Sequence, residues 1–443
     1  VLYREAGPLE GIQVTGDYTF DLILDDSYPQ ILYWLAMRFA SAIPGEAETH
    51  YEGSLGTTRG NEPLEFGQRP VGTGAYRFKW DDFNRDSRIV MVRNENWWGH
   101  DEHQVAPGSR YPSQPGVPSD VETGAWRPER VGTPLTQVGR IEWYLERETL
   151  SYFSKFLQGY FDSSSSIPSE VFDQVMEAGA LTPEMQERGI RLVRDLTIHV
   201  SYIAFNMQDD VVGAPLEFED PDLEANREEA LAKRRKLRQA MSLAINAEEY
   251  LRIFFNRLGV PAQSPVPPGL FGYDPDYRNP FRQFDPELTR ARELLAEAGY
   301  PNGIDPATGK PLELTFVAGS TDTRARAVYN FFIDGWARLG VQVHLDATDY
   351  NTFQEKMFDG AYQIFTWGWL ADYPDPENFL FLLYGPNSSR HGEHRPNRAL
   401  FEDERYDRLY RAMSDLRNDE SATWEEPDPV SGELRAVTAT RTE

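Results

Sequence analysis

Residues 366–379 bring together the side chains best suited to holding a small ligand. The segment reads TWGWLADYPDPENF and contains Trp367, Trp369, Tyr373 and three acids, of which Asp372 is the first. Aromatic rings offer large flat apolar walls, and a carboxylate between them can hold a cation. The two prolines stiffen the segment and reduce the entropy lost on binding. The same composition also fits two core tryptophans followed by acids that cap the next helix, and both interpretations stay open.

Hydrolysis is a second chemistry that such acids could perform. Asp372 and Asp375 are residue types that a glycosidase uses as acid and base. A chain with 71 acidic residues brings acids together by chance, so this pair is weak support. The sequence has no Gly-x-Ser-x-Gly motif, and its lack of cysteine excludes thiolate catalysis, disulfides and zinc fingers.

Two short stretches contain paired histidines. His391 and His394 flank Glu393, and His100 and His103 are separated by two acids. An i, i+3 pair of this kind could bind a metal ion, but both stretches are polar and are interpreted as exposed loops. We expect neither a metal ion nor a cofactor.

The elements that precede residues 366–379 alternate regularly between strand and helix. The segments with strand, helix, strand, helix and strand periodicity are 312–316, 321–339, 341–345, 353–357 and 362–365. A β-α-β-α-β order favours a parallel sheet with helices on its faces. Ligands of such sheets bind beyond the carboxyl ends of the strands. The site is therefore predicted just after Phe365.

Further helices and their caps are predicted upstream. Apolar residues recur with helical spacing over 237–245, and Asn246 caps the next helix. Asp285 followed by Pro286 predicts a helix start, and Gly299 its end.

The N-terminal half is less regular. Within 14–24, a turn at Gly16-Asp17 followed by alternation from Tyr18 to Leu24 predicts a strand with one buried face. Residues 31–40 predict a short helix, and 75–80 with 88–93 a hairpin. The stretches 99–135 and 207–236 are interpreted as long surface loops, the second running into a helix start.

Composition excludes several classes of protein. The 443 residues carry 44 basic and 71 acidic side chains, a net charge of −27, which disfavours nucleic acid and anionic lipid as partners. Hydrophobic residues make up 40%, enough for a sizeable core, and no apolar run is long enough to span a membrane.

Seven segments, taken together and in this order, resemble the peptide, oligopeptide and nickel family of extracellular solute-binding proteins, the receptors of ABC importers. They are 72–78 (GTGAYRF), 93–99 (RNENWWG), 202–206 (YIAFN), 237–246 (LRQAMSLAIN), 265–269 (PVPPG), 291–299 and 369–379. Each is weak alone, but their order across residues 12–410 is specific.

The resemblance implies an α/β fold: a two-lobed periplasmic-binding-protein-like fold of type II, with mixed sheets flanked by helices and a hinge between the lobes. Peptide-binding members hold the peptide α-ammonium with the acid that matches Asp372, and Trp369 matches an aromatic of a side-chain pocket. Trp367 and Tyr373 are expected beside them. Tyr202 and Asn206 belong to the strand that crosses between the lobes, which an extended ligand could join by main-chain hydrogen bonds.

Departures from the family pattern define the expected domains. Residues 1–200 are assigned to a partial lobe I whose N-terminal part is expected to be missing, with an insertion at 99–135. Residues 201–443 are assigned to lobe II, with an insertion at 207–236 and without the C-terminal return to lobe I.

The expected function is that of the substrate-binding component of an ABC importer, a monomer at the periplasm or cell surface. It would capture di- or oligopeptides and deliver them to the membrane permease subunits. Because such a receptor breaks no bond, no catalytic residue is expected. A lipid anchor in the full-length protein is left open. An oligosaccharide, opine or metal-chelate ligand is the alternative, and an acidic hydrolase is the weaker rival.

Overall fold

The structure is a computed structural model, and the residues it describes are 10–52, 69–84, 87–97, 99, 110–114, 127–133, 135–146, 148–177, 179–193, 197–218, 220–392, 395–416, 421–427 and 434–440. The described residues up to Leu35 and from residue 197 onward form a first compact unit. Those from Ala36 to residue 193 form a second unit. Residues 10–35, assigned by sequence to lobe I, thus pack in the same unit as the C-terminal half; the lobe assignment itself stays a prediction.

Strands and helices are numbered separately in chain order. The strands are β1 Ile12–Gly16, β2 Thr19–Leu22, β3 Tyr76–Phe78, β4 Arg88–Arg93, β5 Arg140–Tyr144, β6 Met176–Glu177, β7 Ala180–Leu181, β8 His199–Phe205, β9 Glu313–Ala318, β10 Gln342–Ala347, β11 Ile364–Leu370, β12 Ser421–Pro427 and β13 Leu434–Thr440. The α-helices are α1 Ile31–Ala36, α2 Gly45–Glu52, α3 Thr149–Leu157, α4 Phe172–Val175, α5 Pro183–Glu187, α6 Pro221–Ala225, α7 Arg227–Leu243, α8 Ala247–Phe254, α9 Thr289–Glu297, α10 Thr323–Ala337, α11 Tyr350–Asp359, α12 Glu377–Leu380 and α13 Glu404–Asp415. No described helix combines the length and apolarity that crossing a bilayer requires.

The main sheet of the first unit has the strand order β10-β9-β11-β8. β9 pairs in parallel with both β10 and β11, which confirms the predicted β-α-β-α-β arrangement. β8 adds an antiparallel edge against the whole of β11. One prediction was wrong: β11 continues five residues past Phe365 to Leu370, because Trp367 and Trp369 pair across from β8 instead of opening a loop.

Both faces of this sheet are covered by apolar side chains. Phe316 of β9 is fully buried and contacts Trp336 of α10 edge to face, with ring centroids 5.7 Å apart. The indole N–H of Trp336 donates to the backbone carbonyl of Met241 in α7, 3.1 Å away. This bond satisfies the polar atom that burying a tryptophan would otherwise leave unpaired. The opposite face holds a second cluster around Phe353 and Phe365.

Helix caps follow the sequence signals in two places and depart from them in one. Asn246 accepts the N–H of Glu249 at 3.0 Å, as predicted, and Asp322, next to Thr321 at the predicted start of α10, accepts that of Ala325 at 2.8 Å. The start predicted at Asp285 was wrong, because α9 begins at Thr289. The Asp285 carboxylate still accepts the N–H of Ala291, at 3.2 Å, after an intervening turn with positive φ.

Residues 207–236 correct another prediction, because this stretch is not mainly a loop. Helices α6 and α7 take up residues 221–236, and α7 starts at Arg227. Phe218 is buried, with the guanidinium groups of Arg227 and Arg234 over its ring at 5.6 and 4.6 Å. Arginine side chains that stack on an aromatic ring can cover apolar surface. The charge pattern of this stretch therefore predicted a solvated loop although Phe218 is buried. The 99–135 stretch falls mostly outside the described residues.

The N-terminal predictions are correct for secondary structure and wrong for burial. Residues 12–22 form the β1–β2 hairpin and residues 31–36 a helix. The predicted buried face is exposed, however, and Tyr18 is 99% accessible. In the second unit the predicted hairpin of β3 and β4 is present and gains β5 as a third strand.

The close approach of Gly340, just after α10, to the backbone of Asn302 gives a test of this packing. Gly340 has φ +88°, and a Cβ there would lie 2.2 Å from the carbonyl oxygen of Asn302. Gly360 has φ +71° with open space around it. We expect Gly360→Ala to cost about 1 kcal/mol for the left-handed backbone alone. Gly340→Ala should cost at least about 2 kcal/mol more, because backbone atoms must move. Urea unfolding measures both, and equal losses would contradict the close contact.

Candidate functional site

The second half of β11 is paired on one side and open on the other. β8 accompanies β11 from Ile364 to Leu370, whereas β9 pairs with it only at Ile364 and Phe365. Bonds at both ends show which residues face β8: Asn206 N–H donates to Gln363 O at 2.8 Å, and Ala371 N–H donates to Ile198 O at 2.9 Å.

Because antiparallel strands alternate between paired and outward-facing residues, the open side is defined. Thr366, Gly368 and Leu370 direct their backbone N–H and C=O groups away from β8. The last parallel bridge on that side, between Phe365 and Val317, uses the N–H of Thr366, which donates to the carbonyl of Val317. No described strand pairs with β11 on that side beyond this bond. We call these three residues the open edge of β11. Backbone groups without a protein partner must bind water or a ligand.

Asp372 lies two residues beyond the open edge. Its side chain is exposed, and among the described residues it forms no ion pair. Its own N–H donates to the side-chain oxygen of Asn378, 2.8 Å away. The carboxylate therefore has no partner within the described part of the chain, and it sits at the end of an unpaired strand edge on a backbone that is held in place.

Asn378 fixes the two halves of this loop to each other. It is buried, and the same Oδ1 atom accepts the indole N–H of Trp369 at 3.0 Å. Trp369 also packs edge to face on Phe381, with centroids 5.1 Å apart. Sequence reasoning did not single out Asn378, although a buried amide directly after a Pro-rich loop is a recognisable positioning signal.

The two remaining acids of the loop are buried. Asp375 accepts the N–H of Glu377 at 2.9 Å, so the interpretation of the acids as helix caps is right for Asp375. Glu377 accepts hydrogen bonds from the hydroxyls of Tyr373 and Tyr410, the latter at 2.6 Å. Burial, with the Glu377 carboxylate as the next cause, raises the pKa of both tyrosines far above the ordinary value. These acids are part of the framework.

Trp367 and Tyr202 face each other across β11 and β8 on one face of the sheet. Trp367 contacts Phe353 and Tyr350 of α11, with ring centroids at 5.0 and 6.2 Å. Tyr202 packs against Phe365, and burial raises its pKa well above the usual range. Both rings stay partly accessible next to the core, so the interpretation of the tryptophans as core residues is partly right.

Asn206 has its polar atoms engaged within the protein. Its Nδ2 donates to the carbonyls of Tyr362 and Gly360 at 3.0 and 3.3 Å, and its Oδ1 accepts the N–H of Gln208. These bonds tie the end of β8 to the turn before β11. A direct role toward a ligand stays a prediction for Asn206, and the structure gives it a framework role.

The structure thus brings five of the six predicted residues, Trp367, Trp369, Asp372, Tyr373 and Tyr202, to the end of β11 and its neighbour. Tyr33 and Trp34 of α1 also contact Tyr373, which sequence reasoning missed because they lie about 340 residues away along the chain. Of the two histidine stretches, residues 393–394 and 100–103 lie outside the described residues, and His391 is 3.4 Å from Glu402. Within the described ranges no group of three or more His, Asp or Glu could hold a metal ion.

A comparison of the sequence with models of known protein families identifies the family of this chain. The model of the family described as bacterial extracellular solute-binding proteins, family 5 middle, matches residues 3–390. The chain belongs to this family, whose members are binding proteins, and the resemblance seen in the sequence is confirmed.

The sequence identity to individual relatives is low. The chain is 24% identical to heme-binding protein A of Haemophilus influenzae over 412 residues, which is 93% of this chain and 60% of that protein. It is 26% identical to the dipeptide-binding protein of Escherichia coli over 212 residues, 47% of this chain and 34% of that protein. Di/tripeptide-binding protein 2 of Pseudomonas aeruginosa is 32% identical over 186 residues, 42% of this chain and 32% of that protein.

Solved structures confirm the α/β fold of periplasmic binding proteins. The periplasmic binding protein DppA of Helicobacter pylori in complex with the peptide STSA superimposes with a TM-score of 0.64 at 19% identity. The superposition covers 92% of this chain and 63% of the DppA chain. The dipeptide-binding protein of Pseudoalteromonas sp. SM9913 in complex with Met-Leu gives a TM-score of 0.61 at 21% identity, with 92% of this chain and 64% of that one covered. The chain therefore spans somewhat under two thirds of the length of these relatives.

Asn378 offers a test of how the loop is held. Asn378→Ala removes the acceptor for two N–H groups, and we expect a loss of about 2 kcal/mol in the free energy of unfolding. The matched control is Asn351→Ala, whose exposed side chain should change stability by less than about 0.5 kcal/mol. Urea unfolding followed by tryptophan fluorescence measures both. Equal stability of the two variants would contradict the role of Asn378.

The buried tyrosines predict an alkaline limit to stability. Because folding raises their pKa, their contribution is fully present below about pH 10 and falls as the pH rises further, where the unfolded chain ionises. Tyr410→Phe should make the decline above pH 10 shallower by up to about 1.4 kcal/mol per pH unit. The exposed Tyr160→Phe should leave that slope unchanged. Urea unfolding from pH 7 to 11 compares the slopes, and identical slopes for both variants would refute the assignment.

Proposed function

We propose that the protein is the solute-binding receptor of an ABC importer and that its ligand is a peptide with a free amino terminus. The observation that carries the proposal is the open edge of β11, which ends two residues before an exposed carboxylate that no described residue pairs with. A peptide would add to β11 as an extra strand and place its α-ammonium at Asp372.

The open edge suits a peptide main chain. The C=O of Thr366 and the N–H and C=O groups of Gly368 and Leu370 offer alternating acceptors and donors, the pattern that strand addition uses. Four residue steps of about 3.3 Å give an edge of roughly 13 Å, the length of about four peptide residues. Main-chain bonds make such recognition independent of the ligand sequence.

Asp372 supplies the orientation that the main chain lacks. An ammonium–carboxylate pair is a charge-assisted hydrogen bond, and removing water around it makes either partner costly to lose. The net charge of −27 also favours a cationic group over an anionic one. A ligand whose amine is blocked would leave the carboxylate unpaired.

Aromatic rings beside the open edge can contact ligand side chains. Trp367 projects on one face next to Tyr350, which is 51% exposed at the start of α11. Flat apolar walls tolerate many side chains while excluding water around the backbone bonds. This combination supports a receptor of broad specificity.

The proposal includes the rest of the transport system. The protein would act outside the cytoplasm, as a monomer, and deliver its ligand to permease subunits in the membrane without chemical change. Two relatives are named for dipeptides or tripeptides and one for heme, so heme is one alternative ligand. An oligosaccharide, opine or metal chelate is another, and a glycosidase activity is less well supported because Asp375 is buried as a cap.

Calorimetry with an alanine-rich tetrapeptide and its N-acetylated form tests the proposal. The free peptide should bind, and acetylation should weaken binding at least about 30-fold, because the carboxylate loses its partner. Asp372→Asn should weaken the free peptide to a similar extent and remove the difference between the two ligands.

The matched control is Asp334→Asn, an exposed acid on α10, which should bind like the wild type. A tetrapeptide with N-methylated peptide bonds should also bind poorly, because it cannot join the open edge. Binding of hemin or an oligosaccharide with no response to the peptides would reject the proposal. Mass spectrometry of molecules that co-purify with the protein would then identify the ligand class.

A further inference from the structure

The loop that carries Asp372 is contacted by a distant segment of the chain. Tyr33 of α1 stacks on Tyr373, with ring centroids 5.3 Å apart and planes 4° from parallel. Trp34 approaches the same ring at 6.1 Å. Tyr373 is the residue next to Asp372, so this contact acts directly on the backbone that presents the carboxylate.

The contacting segment is itself held in place. The indole N–H of Trp34 donates to the hydroxyl of Tyr28 at 2.7 Å. Burial raises the pKa of Tyr28, with Glu377 as the second cause, so this phenol lies near the same buried carboxylate as Tyr373. Segment 28–34 is therefore ordered against the loop through more than one side chain.

The ring of Tyr373 is fixed on two sides. Its hydroxyl donates to Glu377, and its face is covered by Tyr33. Asp372, one residue earlier, is tied through its N–H to Asn378. Without the Tyr33 ring, one face of Tyr373 loses its partner, and the turn that orients Asp372 loses one of its restraints.

Tyr33 is not a core residue, and this suits it to positioning the loop rather than to stabilising the unit. It is 38% exposed, so it contributes little to the apolar core. Its stacking depends on the ring and not on the hydroxyl, which phenylalanine would reproduce. Removing the ring should thus affect the loop more than the stability of the unit.

We propose that Tyr33 is a positioning residue for Asp372: its stack on Tyr373 holds the loop in the conformation that receives the ligand amine. This inference rests on the proposed function. It adds a residue from the far end of the chain to the recognition of the amino terminus.

Three variants separate the stack from the hydroxyl and from nonspecific effects. Tyr33→Leu removes the stacked ring, Tyr33→Phe retains it, and Tyr18→Leu removes a 99% exposed tyrosine of the same unit. Amide hydrogen exchange of residues 371–379 is measured without ligand, and calorimetry compares the free and N-acetylated tetrapeptides.

We expect exchange of this loop to rise about five-fold in Tyr33→Leu, with both other variants like the wild type. Affinity for the free peptide should fall about five-fold, whereas affinity for the acetylated peptide should not change. The ratio of the affinities for the free and the acetylated peptide would therefore fall. A general loss of stability would weaken both peptides and leave this ratio unchanged.

Two failures can be told apart. If the wild type binds no peptide, the proposed function is rejected, and with it the role of Tyr33 toward a ligand. If the wild type prefers the free amine and Tyr33→Leu keeps both that preference and the slow exchange, this inference alone is overturned. Loss of the preference in Tyr33→Phe as well would also overturn it, because the stack would not be the cause.

Discussion

The candidate site depends on one constraint, which is that every backbone N–H and C=O group of a strand needs a partner. β9 satisfies β11 only as far as the N–H of Thr366 and then leaves the sheet, because Asp322 caps helix α10 a few residues after β9 ends. Gly319 lies where a Cβ would come within 2.8 Å of Phe353, so the departing chain passes close to the core. The open edge is thus a consequence of the parallel topology and not of any feature of β11 itself.

A binding edge is useful only if its shape is fixed before the ligand arrives. The loop after β11 is fixed by buried polar groups: Asn378 holds the backbone of Asp372 and the indole of Trp369, while Glu377 holds two tyrosine hydroxyls. Each of these buried atoms has a partner, so the framework avoids the cost of an unsatisfied group. The prolines of the loop add stiffness in the same direction.

The sequence was sufficient where the signal is local and insufficient where it is not. The elements from Leu312 to Phe365 follow from periodicity, whereas only the resemblance to a family distinguished Asp372 from the other two acids of its loop. The extension of β11 through Trp367 was missed because a strand that contains glycine between two tryptophans lacks polar alternation. The burial of Phe218 under arginines depends on contacts between separate segments, as does the stack of Tyr33 on Tyr373, and no local pattern encodes either.

The three acids of the loop show how one short segment can be both framework and site. Asp375 and Glu377 are buried and accept hydrogen bonds from within the protein, so their charge is already used. Asp372 is exposed, and among the residues that the structure describes only its N–H has a hydrogen-bond partner. Since a carboxylate selects a cation only when no internal donor occupies it, the division of roles follows from burial. A chain with 71 acids can therefore be selective for an amine at one of them.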